Sequence, residues 1–141
     1  MQPIETPDAM NAFLDEHFPE LDQSLGGYRI MAVGTGDVTA RLETTGRHLR
    51  PGGTVSGPTL FAIADVTQWL AILTRIGPVA LTVTTNLNIN FLRKPKPGAL
   101  IGRGSVLKLG RRLAVTEVSI LNESDGEIVA HATATYSIPP H

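Results

Sequence analysis

The sequence has no cysteine among its 141 residues. That excludes disulfides, thiolate metal ligands and a cysteine nucleophile. It also suits a reducing compartment. The opening stretch MQPIETPDAM lacks a basic segment followed by an apolar one, so no secretory signal is read there and a cytoplasmic location is expected. Strong net charge is missing too: at −1 there is no global pull toward nucleic acid or a membrane surface. Acidic residues are absent from Val66 to Thr116, a stretch that carries Arg75, Arg93, Lys94, Lys96, Arg103, Lys108, Arg111 and Arg112. Such a run is either a solvated basic face or a docking site for an anionic ligand tail. A nucleic-acid surface would interleave aromatics with the bases. Only Phe91 lies among these, and no nucleic-acid partner is expected.

What is present is organised around His48 to Pro78. Pro51 to Gly57 is rich in Gly and small polar residues. Pro58 suits the start of a helix, where its missing N–H is not needed, and Gly77-Pro78 is a stop signal. The reading is a helix from Pro58 to Ile76. It is apolar on every side: Leu60, Phe61, Ile63, Val66, Trp69, Leu70, Ile72, Leu73 and Ile76 leave no polar stripe. Such a helix spans a membrane or is surrounded by protein. Asp65 at its middle, Gln68 one turn on, and the strand-like remainder favour a core helix, with no membrane partner.

A carboxylate in an apolar helix must be paired or hydrogen-bonded. Asp65 is therefore either a structural residue satisfied by a nearby group or a catalytic base or nucleophile. The Gly-rich turn ending at Gly57 favours the second reading, because a helix N-terminus offers free N–H groups to a developing oxyanion.

The rest of the chain supplies strands. Residues 7–18 read as an amphipathic helix packing on the outside of the domain, and 20–27 as a loop. Tyr28 to Val33 and Asp37 to Glu43 are strands; in the second, Val38, Ala40 and Leu42 alternate with Thr39 and Arg41. Leu81 to Leu92 alternates most clearly. Leu81, Val83, Thr85, Leu87, Ile89 and Phe91 share one face, and Thr82, Thr84, Asn86, Asn88 and Asn90 the other. Ala99 to Leu109 is a strand in which Gly102 and Gly104 suggest a bulge or strong curvature. Leu113 to Leu121 and Glu127 to Ile138 follow, joined through the Asp125-Gly126 turn. His131, alone in the last strand, reads as structural. The pattern is α+β: an antiparallel sheet wrapped around one central apolar helix. Overall this is a single domain, with residues 1–27 as an N-terminal helix and loop and 28–141 as its main body.

TVSGPTLFAIAD resembles the signature of the PaaI-like branch of the hotdog-fold acyl-CoA thioesterases. In that family a His-Gly-Gly turn opens the central helix and an acidic residue follows two turns later. VTTNLNINFLRKPKPG is similar to the family's long strand after the helix, and LGRRLAVTEVSILNESDGEIVAHATATYSI to its closing hairpin, so the likeness runs from about Tyr28 onward. Ser56 stands at the family's His, Pro58 at its second Gly, and Arg50 where the upstream His-x-Asn has its Asn.

The resemblance implies a hotdog fold and hydrolysis of an acyl-CoA thioester without metal or other cofactor, coenzyme A being the carrier part of the substrate. It implies that Gly57 and the helix N-terminus polarise the thioester carbonyl, and that Asp65, supplied by the partner subunit, activates water or attacks. Thr84 matches a Ser/Thr that helps hold that water. The long strand pairs with its twin across a dimer, so a homodimer or tetramer is expected. His48, Arg50, Ser56 and Gln68 are candidate substrate-binding residues near the helix, and Arg93, Lys94, Arg111 and Arg112 are candidates for the coenzyme A phosphates. Two alternatives stay open: a non-catalytic acyl-CoA or small-acid binding protein on the same fold, and an enoyl-thioester hydratase, for which His48 is the available histidine near the helix.

Overall fold

The structure, a computed structural model, describes residues 2–141. Helices α1 (Pro7–His17) and α2 (Leu21–Leu25) lead into strands β1 (Arg29–Gly34) and β2 (Asp37–Glu43). The long helix α3 (Gly57–Ile76) follows, then β3 (Val83–Phe91), β4 (Ala99–Leu109), β5 (Leu113–Asn122) and β6 (Ile128–Ser137). All six strands form one antiparallel sheet in the order β1-β2-β4-β5-β6-β3, with α3 against one face. This is the hotdog fold expected from the sequence.

The glycines of β4 explain how closely helix and sheet meet. A Cβ at Gly104 would lie 3.0 Å from Thr67 Cγ2, and one at Gly102 would lie 3.2 Å from Thr67 Oγ1. From sequence these glycines suggest a bulge or bend. They instead mark where α3 rests on the sheet, and the irregularity of β4 falls later, between Val106 and Lys108. Tyr28 ties the same contact from β1's entry, its hydroxyl 2.8 Å from Thr67 Oγ1. Burial pushes that phenol well above the ordinary tyrosine range, so it remains a neutral hydrogen-bonding group.

The sheet does not enclose α3 alone. Residues 20–27, expected as a loop, contain α2. Leu21 and Leu25 of α2 join Ile4 and the α1 residues Met10, Phe13 and Leu14 in the same core as Leu70 and Leu73 of α3. Phe13 and Phe18 both face Trp69, with ring centres 5.5 and 6.2 Å away. The N-terminal helix thus packs on the outside of the domain, as expected, and its buried face covers a flank of α3. A five-residue helix has too few repeats for a periodic signal, which is why the sequence hides it. By length and composition α3 could cross a membrane, yet most of its side chains are buried among these elements. One stripe stays half-open or exposed: Phe61, Ala62, Asp65 and Trp69.

β3 is an edge strand, paired only with β6. Thr84 pairs with Tyr136 and Asn86 with Thr135, so two residues are spent on β3 for one on β6, and Thr85 is the extra residue of a bulge. A bulge shifts the alternation by one. Thr84 therefore shares the inward face with Leu87 and Ile89, which pair with Ala134 and Ala132 of the core-facing set. Strict alternation would group Thr84 with Asn86, Asn88 and Asn90, which do face outward.

Candidate active site

Asp65 is held at the middle of α3 by two hydroxyls from neighbouring strands. Thr84 Oγ1 donates to Asp65 Oδ1 at 2.7 Å, and Tyr136 OH stands 2.8 Å from the same oxygen and 2.6 Å from the Asp65 main-chain carbonyl. Burial, and then the Asp65 charge, push the Tyr136 phenol far above its ordinary range. Nothing in the sequence singles out Tyr136. It sits one residue from a strand end in an alternating run, and only the register against Thr84 reveals that it points at the carboxylate.

The Asp65 cleft, about 310 Å³, is lined by Val66, Trp69, Thr82, Val83, Thr84 and Tyr136, with His17 and Phe18 from the end of α1 closing one side. In the sequence His17 is only one residue of an amphipathic helix. Its approach to Asp65 depends on α1 packing against Trp69, which local sequence does not encode.

The second feature is the N-terminus of α3. Of the donors that a helix start leaves without partners, Ser56 N–H donates to the His48 carbonyl at 2.9 Å, Thr59 N–H donates to Ser56 Oγ at 3.2 Å, and Pro58 has none. Gly57 N–H is the donor left over, and it has no partner within the helix. An ideal Cβ at Gly57 would lie 3.7 Å from the Phe91 ring, so the backbone is approachable there. Gly57 opens into a groove of about 350 Å³ shared with Arg50, Thr54, Phe91, Arg93 and Lys94. Arg50 is presented by the tight turn Arg50–Thr54, in which Gly52 and Gly53 take φ of +100° and +78°, the left-handed region that favours glycine.

The structure separates the expected residues into four groups. Asp65 and Thr84 meet in one cleft; Gly57, Arg50, Arg93 and Lys94 meet in the other. The eight residues from Gly57 to Asp65 put about 12 Å of helix between the two clefts. Arg111 and Arg112 are exposed on the β4–β5 hairpin, beside the Val83 end of β3, whereas Arg93 and Lys94 follow its Phe91 end. The nine residues of β3 keep these pairs roughly 26 Å apart in one subunit. The basic cluster is therefore split within the single chain.

Three expected substrate-binding residues have structural posts instead. Gln68 is fully buried, donating to the Ala64 carbonyl at 3.1 Å and accepting from Thr116 Oγ1 at 2.8 Å. Ser56 caps α3 and lines neither cleft. His48 is fully buried, its Nδ1 accepting from Thr45 N–H at 2.9 Å to close the turn Gly46–His48. Burial, with the Arg47 charge second, pushes this imidazole below the usual range. So placed, His48 cannot serve as the histidine that an enoyl-thioester hydratase needs. Among the described residues no cluster of three or more His, Asp or Glu side chains is placed to hold a metal ion.

Comparison with known proteins gives the family. Residues 52–129 match the family model described as the thioesterase superfamily. A solved structure from a Silicibacter species, described as a proposed thioesterase, is 44% identical and superimposes with a TM-score of 0.87 over 99% of this chain and 96% of that one. The phenylacetic acid degradation protein PaaI of Thermus thermophilus, solved as a point mutant, is 27% identical with a TM-score of 0.73 over 84% and 98% of the two chains. Human acyl-coenzyme A thioesterase 13 is 27% identical over 116 residues, 81% of each chain.

Proposed function

Since this chain belongs to the thioesterase superfamily and is a PaaI-like, hotdog-fold thioester hydrolase, we propose that its substrate is an acyl-CoA and that Asp65 is the general base. The observation that carries the reading is the division of labour along α3. A carboxylate held at one oxygen stands in one cleft, and the helix-start Gly57 N–H, without a partner among the described residues, stands in the other. One thioester carbonyl cannot use both within one subunit.

A second copy closes that gap. β3 is an exposed edge carrying Val83, 53% exposed, and Phe91, 54% exposed, with Leu81 and Leu92 beyond its ends. Such an edge invites pairing with another chain. Antiparallel pairing of β3 with its twin about a two-fold axis sets Phe91 of one subunit beside Val83 of the other. Gly57, which abuts Phe91, then approaches Asp65 and Thr84 of the partner. The same operation brings Arg93 and Lys94 of one subunit toward Arg111 and Arg112 of the other, reuniting the basic residues around the mouth where the coenzyme A phosphates would bind.

The reaction then balances without a cofactor. Asp65 takes a proton from water as the water oxygen attacks the thioester carbon. The carbonyl electron pair moves onto oxygen, where Gly57 N–H and the positive end of α3 stabilise it. Collapse of the tetrahedral intermediate expels the coenzyme A thiolate, which takes up the proton, leaving acid and free thiol.

Thiol release from a panel of acyl-CoA esters tests the proposal. Turnover of at least one ester is expected. Tight binding of acyl-CoA without thiol release would make this a binding protein on the same fold. Hydration of an enoyl-CoA without thiol release would make it a hydratase.

A further inference from the structure

We infer that Tyr136 is a positioning residue that, together with Thr84, occupies Asp65 Oδ1 and leaves Oδ2 as the one oxygen able to take the proton. This rests on Asp65 acting as the base. A carboxylate oxygen offers two lone-pair sites. Asp65 Oδ1 meets two donors, Thr84 Oγ1 at 2.7 Å and Tyr136 OH at 2.8 Å. Among the described residues none bonds to Oδ2. The cleft therefore receives a carboxylate whose Oδ1 meets one undivided donor, Thr84, and one shared donor, Tyr136, while Oδ2 is left open.

The phenol does more than fill a valence. Its oxygen also lies 2.6 Å from the Asp65 main-chain carbonyl, so one hydroxyl touches the side chain and the backbone of the same residue. A donor shared in this way restricts the Asp65 side-chain rotamer. Tyr136 itself is 1% exposed and locked in the core of β6. The anchor is thus rigid while the carboxylate it holds is half-open. Its pKa, raised by burial, keeps the phenol protonated as a donor and unfit to act as base itself.

Thr84 changes role accordingly. Its single hydroxyl hydrogen is directed at Asp65, so toward a water it has only lone pairs to offer. Register explains the pairing of the two donors. Thr84 and Tyr136 stand opposite one another on β3 and β6, and the bulge at Thr85 turns Thr84 inward beside Tyr136. Two adjacent strands thereby deliver two hydroxyls to one oxygen.

The test is a double-mutant cycle of Tyr136→Phe and Asp65→Asn, read by thiol release and by the binding of a non-hydrolysable thioether analogue. Phe keeps the ring and its packing and deletes the hydroxyl alone. The expected result is a kcat lower by ~10–10²-fold, the scale of a misplaced catalytic group, with KM and analogue binding unchanged. Because Tyr136 acts through Asp65, adding Tyr136→Phe to Asp65→Asn should cost nothing further. Unchanged kcat in Tyr136→Phe overturns the inference, as does an equal fold-loss in both backgrounds or weakened analogue binding. If Tyr136→Phe fails to fold, Thr84→Val and Thr84→Ser at the exposed strand carry the test. Ser should keep the wild-type rate and Val should lose it, and equal rates in the two overturn the account of Oδ1. The two failures are separable. Wild-type turnover in Asp65→Asn rejects Asp65 as the base, whereas loss there beside full activity in Tyr136→Phe rejects the positioning role alone.

Discussion

The Thr84 hydroxyl donates to Asp65 Oδ1 over 2.7 Å, although strict alternation along β3 would send it to the outer face with Asn86. The extra residue Thr85 reverses the side chains before it relative to those after it. The most regular strand of the sequence is therefore irregular at the position that builds the site.

If each site draws Gly57 from one subunit and Asp65 from its partner, two inactive variants should repair one another. In a mixture of Asp65→Asn and Gly57→Val, subunit exchange creates mixed dimers in which one of the two sites is intact. About a quarter of wild-type thiol release should return, from half the dimers with half their sites working. A mixture that stays inactive after verified exchange would show that both residues serve within one subunit.

Gly57→Val keeps the N–H but obstructs the carbonyl's approach to it, and should lower kcat by ~10²–10³-fold, the usual cost of an unused oxyanion donor. A small side chain is tolerated structurally, since an ideal Cβ would meet only the edge of Phe91 at 3.7 Å. Gly57→Ala should accordingly keep its melting temperature. Full turnover in Gly57→Val would place the oxyanion donor elsewhere.

Much of this molecule is legible in its sequence, for physical reasons that differ by element. The apolar run from Leu60 to Ile76, bounded by Ser56-Gly57-Pro58 and Gly77-Pro78, has to be a buried helix, and it is. The alternation of Val38, Ala40 and Leu42 faithfully gives an inward face. What stays hidden depends on tertiary contacts. Gln68 and His48 look available because polarity in sequence does not say which way a side chain turns; both are buried and bonded inside. Tyr136 looks like an ordinary strand aromatic, and α2 is too short to declare itself. Arg111 and Arg112 read as neighbours of Arg93 and Lys94, but the two pairs lie toward opposite ends of β3 within one chain.

Charge reversal of Arg93 and Lys94 should raise KM for acyl-CoA while leaving kcat nearly unchanged, because phosphate contacts are the same in ground and transition states. The same variants should hydrolyse a pantetheine thioester, which lacks the nucleotide phosphates, as the wild type does. Added salt should mimic the substitution for the CoA ester alone. Equal KM values for both substrates in wild type and variants would reduce the cluster to a solvated face.

His48 should make the fold sensitive to mild acid. Its folded-state pKa is depressed below the ordinary 6.5, so the neutral ring is the folded form. The unfolded chain then binds a proton first as pH falls, and its stabilising contribution is complete above about pH 6.5 and is lost below it. Protonation would also remove the Nδ1 acceptor that closes the turn before Arg50. Melting temperature measured from about pH 8 to about pH 5 should drop below about pH 6.5, and His48→Gln should flatten that drop. An equally steep drop in the variant would assign it to other groups.

Asp65→Asn, with kcat read beside melting temperature, decides whether Asp65 is the base. The amide keeps the size of the carboxylate and an acceptor for Thr84 and Tyr136, but it cannot take a proton from water. A base at Asp65 means thiol release lower by at least ~10²–10⁴-fold, with the folded state and oligomer intact. Wild-type kcat with a shifted melting temperature would contradict it and leave Asp65 a structural residue of α3.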